Sequence, residues 1–222
     1  MKDRQKTKKQ MDMLHGSLWD KLLIVALPLA ASSILQQLFN SADVAVVGRF
    51  ASSNALAAVG GNSAVINLLI NLFVGLSVGA NVVIANYIGQ GKRERLKQVV
   101  QTVMLLAVAC GLLMTIVGIA AARPVLEMIR TPDNILDQAM LYLRIYMIGM
   151  PFIMIYNFGA AILRSIGDTK RPLFCLIVSG VINVILNLVL VIVFRLDVAG
   201  VAIATVVSNI VSSGIVVFIL MH

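Results

Sequence analysis

Acidic residues are scarce in this chain of 222 residues, ten against eighteen lysines and arginines. Charged residues make up 13%, hydrophobic residues 59%, and the mean hydropathy is +0.95. That leaves too little polar surface to coat a soluble globule and defines an integral membrane protein. The chemistry of most enzymes is missing as well. There are two histidines, His15 and His222, both outside the apolar runs. No HExxH and no pair of carboxylates within one run is present, so the sequence offers no enzyme active site. Cys110 and Cys175 both fall inside apolar runs and read as small hydrophobes, with no disulfide or metal assigned to them. The ten-residue alternation of a membrane barrel strand is absent too.

What is present is a series of long apolar runs, at about 22–47, 56–88, 99–122, 140–163, 173–194 and 198–220. Each exceeds the ~20 residues that cross a bilayer as a helix, so the fold class is all-α, a six-helix transmembrane bundle. Residues 1–21 form a basic tail ahead of a lobe over 22–222. The first run is 26 residues long, beyond the ~7–15 of a signal-peptide core, and reads as an uncleaved first helix.

The basic residues divide by topology rather than marking a nucleic-acid partner. Lys2, Arg4, Lys6, Lys8, Lys9, Lys21, Lys92, Arg93, Arg95, Lys97, Arg164, Lys170 and Arg171 fall on one side, whereas Arg49, Arg123, Arg130 and Arg195 fall on the other and Arg144 lies inside the fourth run. The positive-inside rule then puts both termini in the cytoplasm. The glycine-containing connectors GQGKRER (89–95) and GDTKRP (167–172) lack phosphate-loop spacing and read as turns and caps.

Asp43 is the only acidic residue in any of the six runs. A charge at mid-membrane costs at least ~2.5 kcal/mol on insertion scales, so a retained one faces a cavity or a partner; the plainer alternative is a carboxylate snorkelling to the outer interface. Ser32, Gln36, Asn40 and Asp43 recur at helical spacing on one face. Ser179, Asn183 and Asn187 form a second such stripe, and Thr205, Asn209 and Ser212 a third. These are cavity-wall candidates, with interhelical hydrogen bonding as the alternative. Asn67, Asn71, Gly75 and Gly79 share a face, the two glycines inviting close helix approach. Tyr142, Tyr146, Met147 and Met150 (with Met154) offer aromatic and thioether surface suited to apolar ligands, or to packing.

Three stretches carry a family resemblance: LPLAASSILQQLFNSADVAVVGRF (27–50) with ALAAVG (55–60), AILRSIGDTKRPL (161–173), and INVILNLVLVIVF (182–194) followed by VAGVAIAT (198–205). With their order and spacing, the chain from about Trp19 onward resembles the N-terminal half of the multidrug and toxic compound extrusion (MATE) transporters. The resemblance implies secondary active efflux of lipophilic or cationic small molecules from a bacterial plasma (inner) membrane, coupled to H+ or Na+ and needing no cofactor. It implies that Asp43, with Asn183, Asn187 and Thr205 around it, is the coupling site. Gln36, Asn40, Asn67, Asn71, Tyr142, Tyr146, Met147 and Met150 are the expected substrate cavity. Two departures stand out. Asn187 occupies a position where many relatives carry an acid, leaving H+ or Na+ open. The chain also holds six spans where the family has twelve, so the expected partner, besides membrane lipids, is a second six-helix lobe, either a missing C-terminal half or a second copy. The rival readings are a lipid-linked oligosaccharide flippase of the same superfamily, needing a cationic cavity for which only Arg144 qualifies, and a non-transporting helical subunit.

Overall fold

Inside a membrane each backbone N–H and C=O must be bonded within its own segment, and the apolar runs become helices for that reason. The computed structural model describes residues 18–90 and 93–221. The elements are α1 (Leu18–Phe50), α2 (Ser53–Gly89), α3 (Arg93–Met128), α4 (Asp133–Ile148), α5 (Met150–Ser165), α6 (Lys170–Leu188) and α7 (Asp197–Met221), with a π-helical extension of α6 over Val189–Val193. Residues 1–17 of the basic tail, with His15, and His222 at the other end lie outside the described residues. α1 begins at Leu18, inside the tail drawn over 1–21.

Among the described residues the expected spans are built from seven α-helices, because the fourth is broken at Gly149, where α4 and α5 meet at a bend of 48°. Among the described residues four helices are long and apolar enough to cross a membrane, and the bent pair makes a fifth. α1 has 33 residues, roughly 50 Å at the rise of an α-helix, long enough for the sixth crossing. The connectors are short and capped. Ser52, in extended conformation, accepts from the Ala55 N–H at 3.1 Å and starts α2. Between α5 and α6, Asp168 Oδ1 accepts from the Arg171 N–H at 3.1 Å and its Oδ2 pairs with the Arg171 guanidinium at 3.1 Å, so GDTKRP is a turn and a cap.

The interior is built by α4, α5 and α7, with α3 lying along the bent pair and α6 against α7. Phe158, Met147, Met150, Met154 and Val201 are fully buried there. Leu68, Leu105, Ile116 and Phe174 point outward, an apolar exterior that suits lipid and not water. α1 is the peripheral helix, resting on α6 and more lightly on α2. Its main seat is Gly180 of α6, where any Cβ would overlap the ring of Phe39.

The Gly75–Gly79 expectation needs correction. Nothing lies within 4 Å of where a Cβ would stand at either glycine, and both are exposed. The close helix approaches of the lobe are made elsewhere, because the α2 face that carries these glycines turns away from the bundle.

Candidate functional site

The polar stripes on α1, α6 and α7 meet. Asp43 sits about two turns before the end of α1, half-buried and turned inward to Asn187, whose Nδ2 donates to Asp43 Oδ1. The same amide donates to Asn183 Oδ1 at 3.3 Å, one turn earlier on α6. Asn183 Nδ2 in turn donates to Thr205 Oγ1 on α7 at 3.4 Å. Thr205 Oγ1 donates to the Val201 carbonyl at 3.0 Å, which closes the chain of bonds. Asn187 is fully buried, and its Oδ1 has no hydrogen-bond partner among the described residues.

Of these residues Asp43, Asn183 and Thr205 line a pocket of about 100 Å³. α1 contributes Gln36, Phe39, Asn40 and Asp43, and α6 contributes Ser179, Gly180 and Asn183. α7 contributes Thr205, Ser208, Asn209 and Ser212, while Tyr146 of α4 and Ile153, Tyr156 and Asn157 of α5 close the inner side. Several hydroxyl and amide donors of the wall are engaged by backbone carbonyls of their own helices. Ser179 donates to the Leu176 carbonyl at 3.1 Å, Ser208 and Asn209 to the Thr205 carbonyl at 2.9 and 2.8 Å, Ser212 to the Asn209 carbonyl at 3.1 Å, and Asn157 to the Ile153 carbonyl at 2.9 Å. What faces the pocket is therefore rich in acceptor oxygens, with a single carboxylate and no basic side chain among the lining residues. Oxygen donors of this kind suit a hard cation or a proton.

Asp43, Asn183, Asn187 and Thr205 are thus brought together, with Gln36, Asn40 and Tyr146 on the same pocket. The other cavity residues expected from sequence lie elsewhere. Met147 and Met150 are wholly buried and Tyr142 nearly so, its ring packed 6.0 Å from that of Tyr146 between centroids. Their strip of α4 faces the helix core, where flexible thioethers fill gaps. Asn67 and Asn71 are exposed on the outer face of α2, beside Gly75. Arg144 is exposed as well and does not reach the pocket. Lining residues that the sequence reading did not single out include Phe39, Tyr156, Asn157 and Ser208. Ser208 lies three residues from Thr205 and four from Ser212, and Phe39 lies three from Gln36, so stripe spacing carried a signal for both. On α5 the sequence pointed to Met150, which is buried in the core, and not to Ile153, Tyr156 or Asn157, which line the pocket.

Apolar helices closing polar stripes around an inward carboxylate define a polytopic helical membrane protein with a polar site in its interior. The chain matches the MatE family model over residues 28–189 and belongs to the MatE family, the MATE transporters. It is 33% identical over 198 residues to the "Probable multidrug resistance protein YoeA" of Bacillus subtilis (strain 168), covering 87% of this chain and 43% of that one. It is 28% identical over 211 residues to the "Probable multidrug resistance protein NorM" of Thermotoga maritima, covering 90% and 44%. Its fold superposes on the outward-facing conformation of a multidrug resistance MATE family transporter of the MOP superfamily with a TM-score of 0.88 at 27% identity, over 97% of this chain and 48% of that one. For an inward-facing conformation the TM-score is 0.79, over 88% and 45%. The chain spans about half the length of the relatives it matches.

Proposed function

We propose that this chain is one lobe of a multidrug exporter that moves lipophilic, often cationic compounds outward in exchange for H+ or Na+, with Asp43 as the coupling site. The observation that carries this reading is the acceptor-rich pocket that includes Asp43, Asn183 and Thr205, with Asn187 bonded to Asp43 behind it. Asp43, Asn183, Asn187 and Thr205 offer the oxygens that a proton or a small cation needs, and no basic lining residue competes for the carboxylate. An anionic flippase substrate has no counter-charge here, since Arg144 lies outside the pocket.

At about 100 Å³ the pocket holds an ion and a few waters. Drug-sized ligands occupy sites of ~300–1,000 Å³, so the exported compound binds in a larger space that a second lobe completes. The exposed amides of Asn67 and Asn71 on α2 face that space, since bare amides are costly against lipid. The connectors rich in Lys and Arg lie in the cytoplasm, in a bacterial plasma membrane. One charge falling through 100 mV supplies ~2.3 kcal/mol, enough for about a fifty-fold substrate gradient.

The test is energised export of a fluorescent lipophilic cation from cells expressing the chain, alone or with a second lobe. It is compared with the Asp43→Asn variant at matched membrane abundance. Export is expected to fall to the level of cells lacking the chain; wild-type export by the variant would sink the assignment.

A further inference from the structure

The break between α4 and α5 has a covalent cause. Pro151 carries no N–H, so the Met147 carbonyl four residues earlier loses the partner that an unbroken helix would give it. That carbonyl is not left bare. Thr115 Oγ1, on α3, lies 2.7 Å from Met147 O. The same hydroxyl is 3.1 Å from the Gly111 carbonyl of its own helix, so its single proton has two acceptors and the shorter contact is the one between helices. α3 is also hollowed to receive the bend. A Cβ at Gly111 would overlap Pro151, and one at Gly118 would overlap the Met147 side chain. Gly111, Thr115 and Gly118 follow one another at four and three residues, a single stripe of α3. On the opposite side the bend meets α7, where a Cβ at Gly149 would come within 2.8 Å of Val206.

We infer that the Gly111–Thr115–Gly118 stripe of α3 is the receptor for this bend, and that Thr115 is a positioning residue for the pocket. By supplying from α3 the hydrogen bond that Pro151 removes, Thr115 fixes the angle between α4 and α5. Tyr146 and Ile153 stand on either side of the break, and both line the pocket, so the angle sets how that wall meets Asp43. A straighter span four would carry one of the two away from it. Proline-broken membrane helices elsewhere are mended by hydroxyl side chains; here the mending group sits on a neighbouring helix and ties its position to the bend.

The consequence for export rests on the pocket reading given above, whereas the bend itself does not, and the experiment separates the two. Spin labels at Leu141 on α4 and Ile166 just beyond α5, both exposed, report the angle as a distance by pulsed electron resonance. They are placed in the full chain with Cys110 and Cys175 replaced by alanine. Thr115→Val keeps the shape and removes the donor, and it is expected to lengthen and broaden the distance distribution; Thr115→Ser restores it. Pro151→Ala returns an N–H to position 151, and in that background Thr115→Val is expected to add no further shift. An unchanged distribution in Thr115→Val, or an equal shift in both backgrounds, overturns the proposal. If Thr115→Val alone fails to assemble, recovery in the Pro151→Ala double variant supports it and failure of both overturns it. Export assayed in parallel is expected to drop several-fold in Thr115→Val and return in Thr115→Ser. A shifted bend with wild-type export removes the positioning role.

Discussion

At the scale of single residues the site turns on Asn187. It is fully buried, gives both amide hydrogens away, one of them to Asp43, and keeps an oxygen without a hydrogen-bond partner among the described residues. A hydrogen bond to a charged group is worth ~1.5–3 kcal/mol, and removing one partner leaves the other to bear its desolvation alone. Asn187→Leu is therefore expected to lower the thermal midpoint of the purified chain, by about 2–4 °C for each kcal/mol lost. The loss should shrink when Asp43→Asn is made as well, because the stranded charge is gone. Additive losses in calorimetry would mean that the two side chains do not depend on each other. Asp43, Asn183, Asn187 and Thr205 were legible because a polar residue in an apolar run stands out and helical spacing says which ones share a face. Tyr156 and Asn157 were not. Tyr156 reads as packing, its hydroxyl held 3.3 Å from the Pro172 carbonyl, and Asn157 as a lone polar residue. Only the docking of α5 turns either toward the pocket.

Among the elements, α1 is the most loosely attached. Its contacts on α6 include the Asp43–Asn187 bond and the ring of Phe39 over Gly180. Gly180→Leu is expected to expel that ring at the ~1–3 kcal/mol typical of overpacking, and Phe39→Ala should recover part of the loss. The check is the thermal midpoint of the single and double variants, and equal losses with and without the ring would remove Phe39 from this role. The runs were legible as helices to within a few residues at most ends, since length and hydropathy alone decide what crosses a bilayer. The break at Gly149 was not read, although Pro151 stands two residues on; proline is tolerated in membrane helices, and whether one bends depends on a neighbour such as Thr115. The π-helical end of α6, with Phe194 N–H bonded to the Val189 carbonyl at 3.1 Å, leaves no mark in the residue pattern either.

For the whole molecule the unpaired surface of α2 matters most. Asn67, Asn71, Gly75 and Gly79 form one outward stripe, and the chain spans about half of its relatives' length. Gly79→Leu meets nothing within 4 Å of the new Cβ, so it is expected to leave the stability of this lobe unchanged. It should nevertheless prevent co-purification with a second six-helix lobe, where the wild-type chain co-purifies. Loss of stability in the isolated lobe, or undiminished co-purification, would show that this stripe is not the contact. The sequence supplied the stripe but not its direction, because a small-residue spacing does not say which neighbour it serves.

The depth of Asp43 limits what a membrane voltage can do at the binding step. About two turns of helix separate it from the end of α1, ~11 Å, against a hydrocarbon core of ~30 Å. Under the proposed role, an ion entering from that end crosses at most about a third of the field. At 100 mV that is worth at most ~0.8 kcal/mol, or about a fourfold change in occupancy. Occupancy would then follow mainly the concentration of the ion outside. The larger share of the electrical work falls on later steps, when the ion leaves the site for the opposite face and the bare carboxylate returns, so voltage sets the pace of turnover more than the filling of the site.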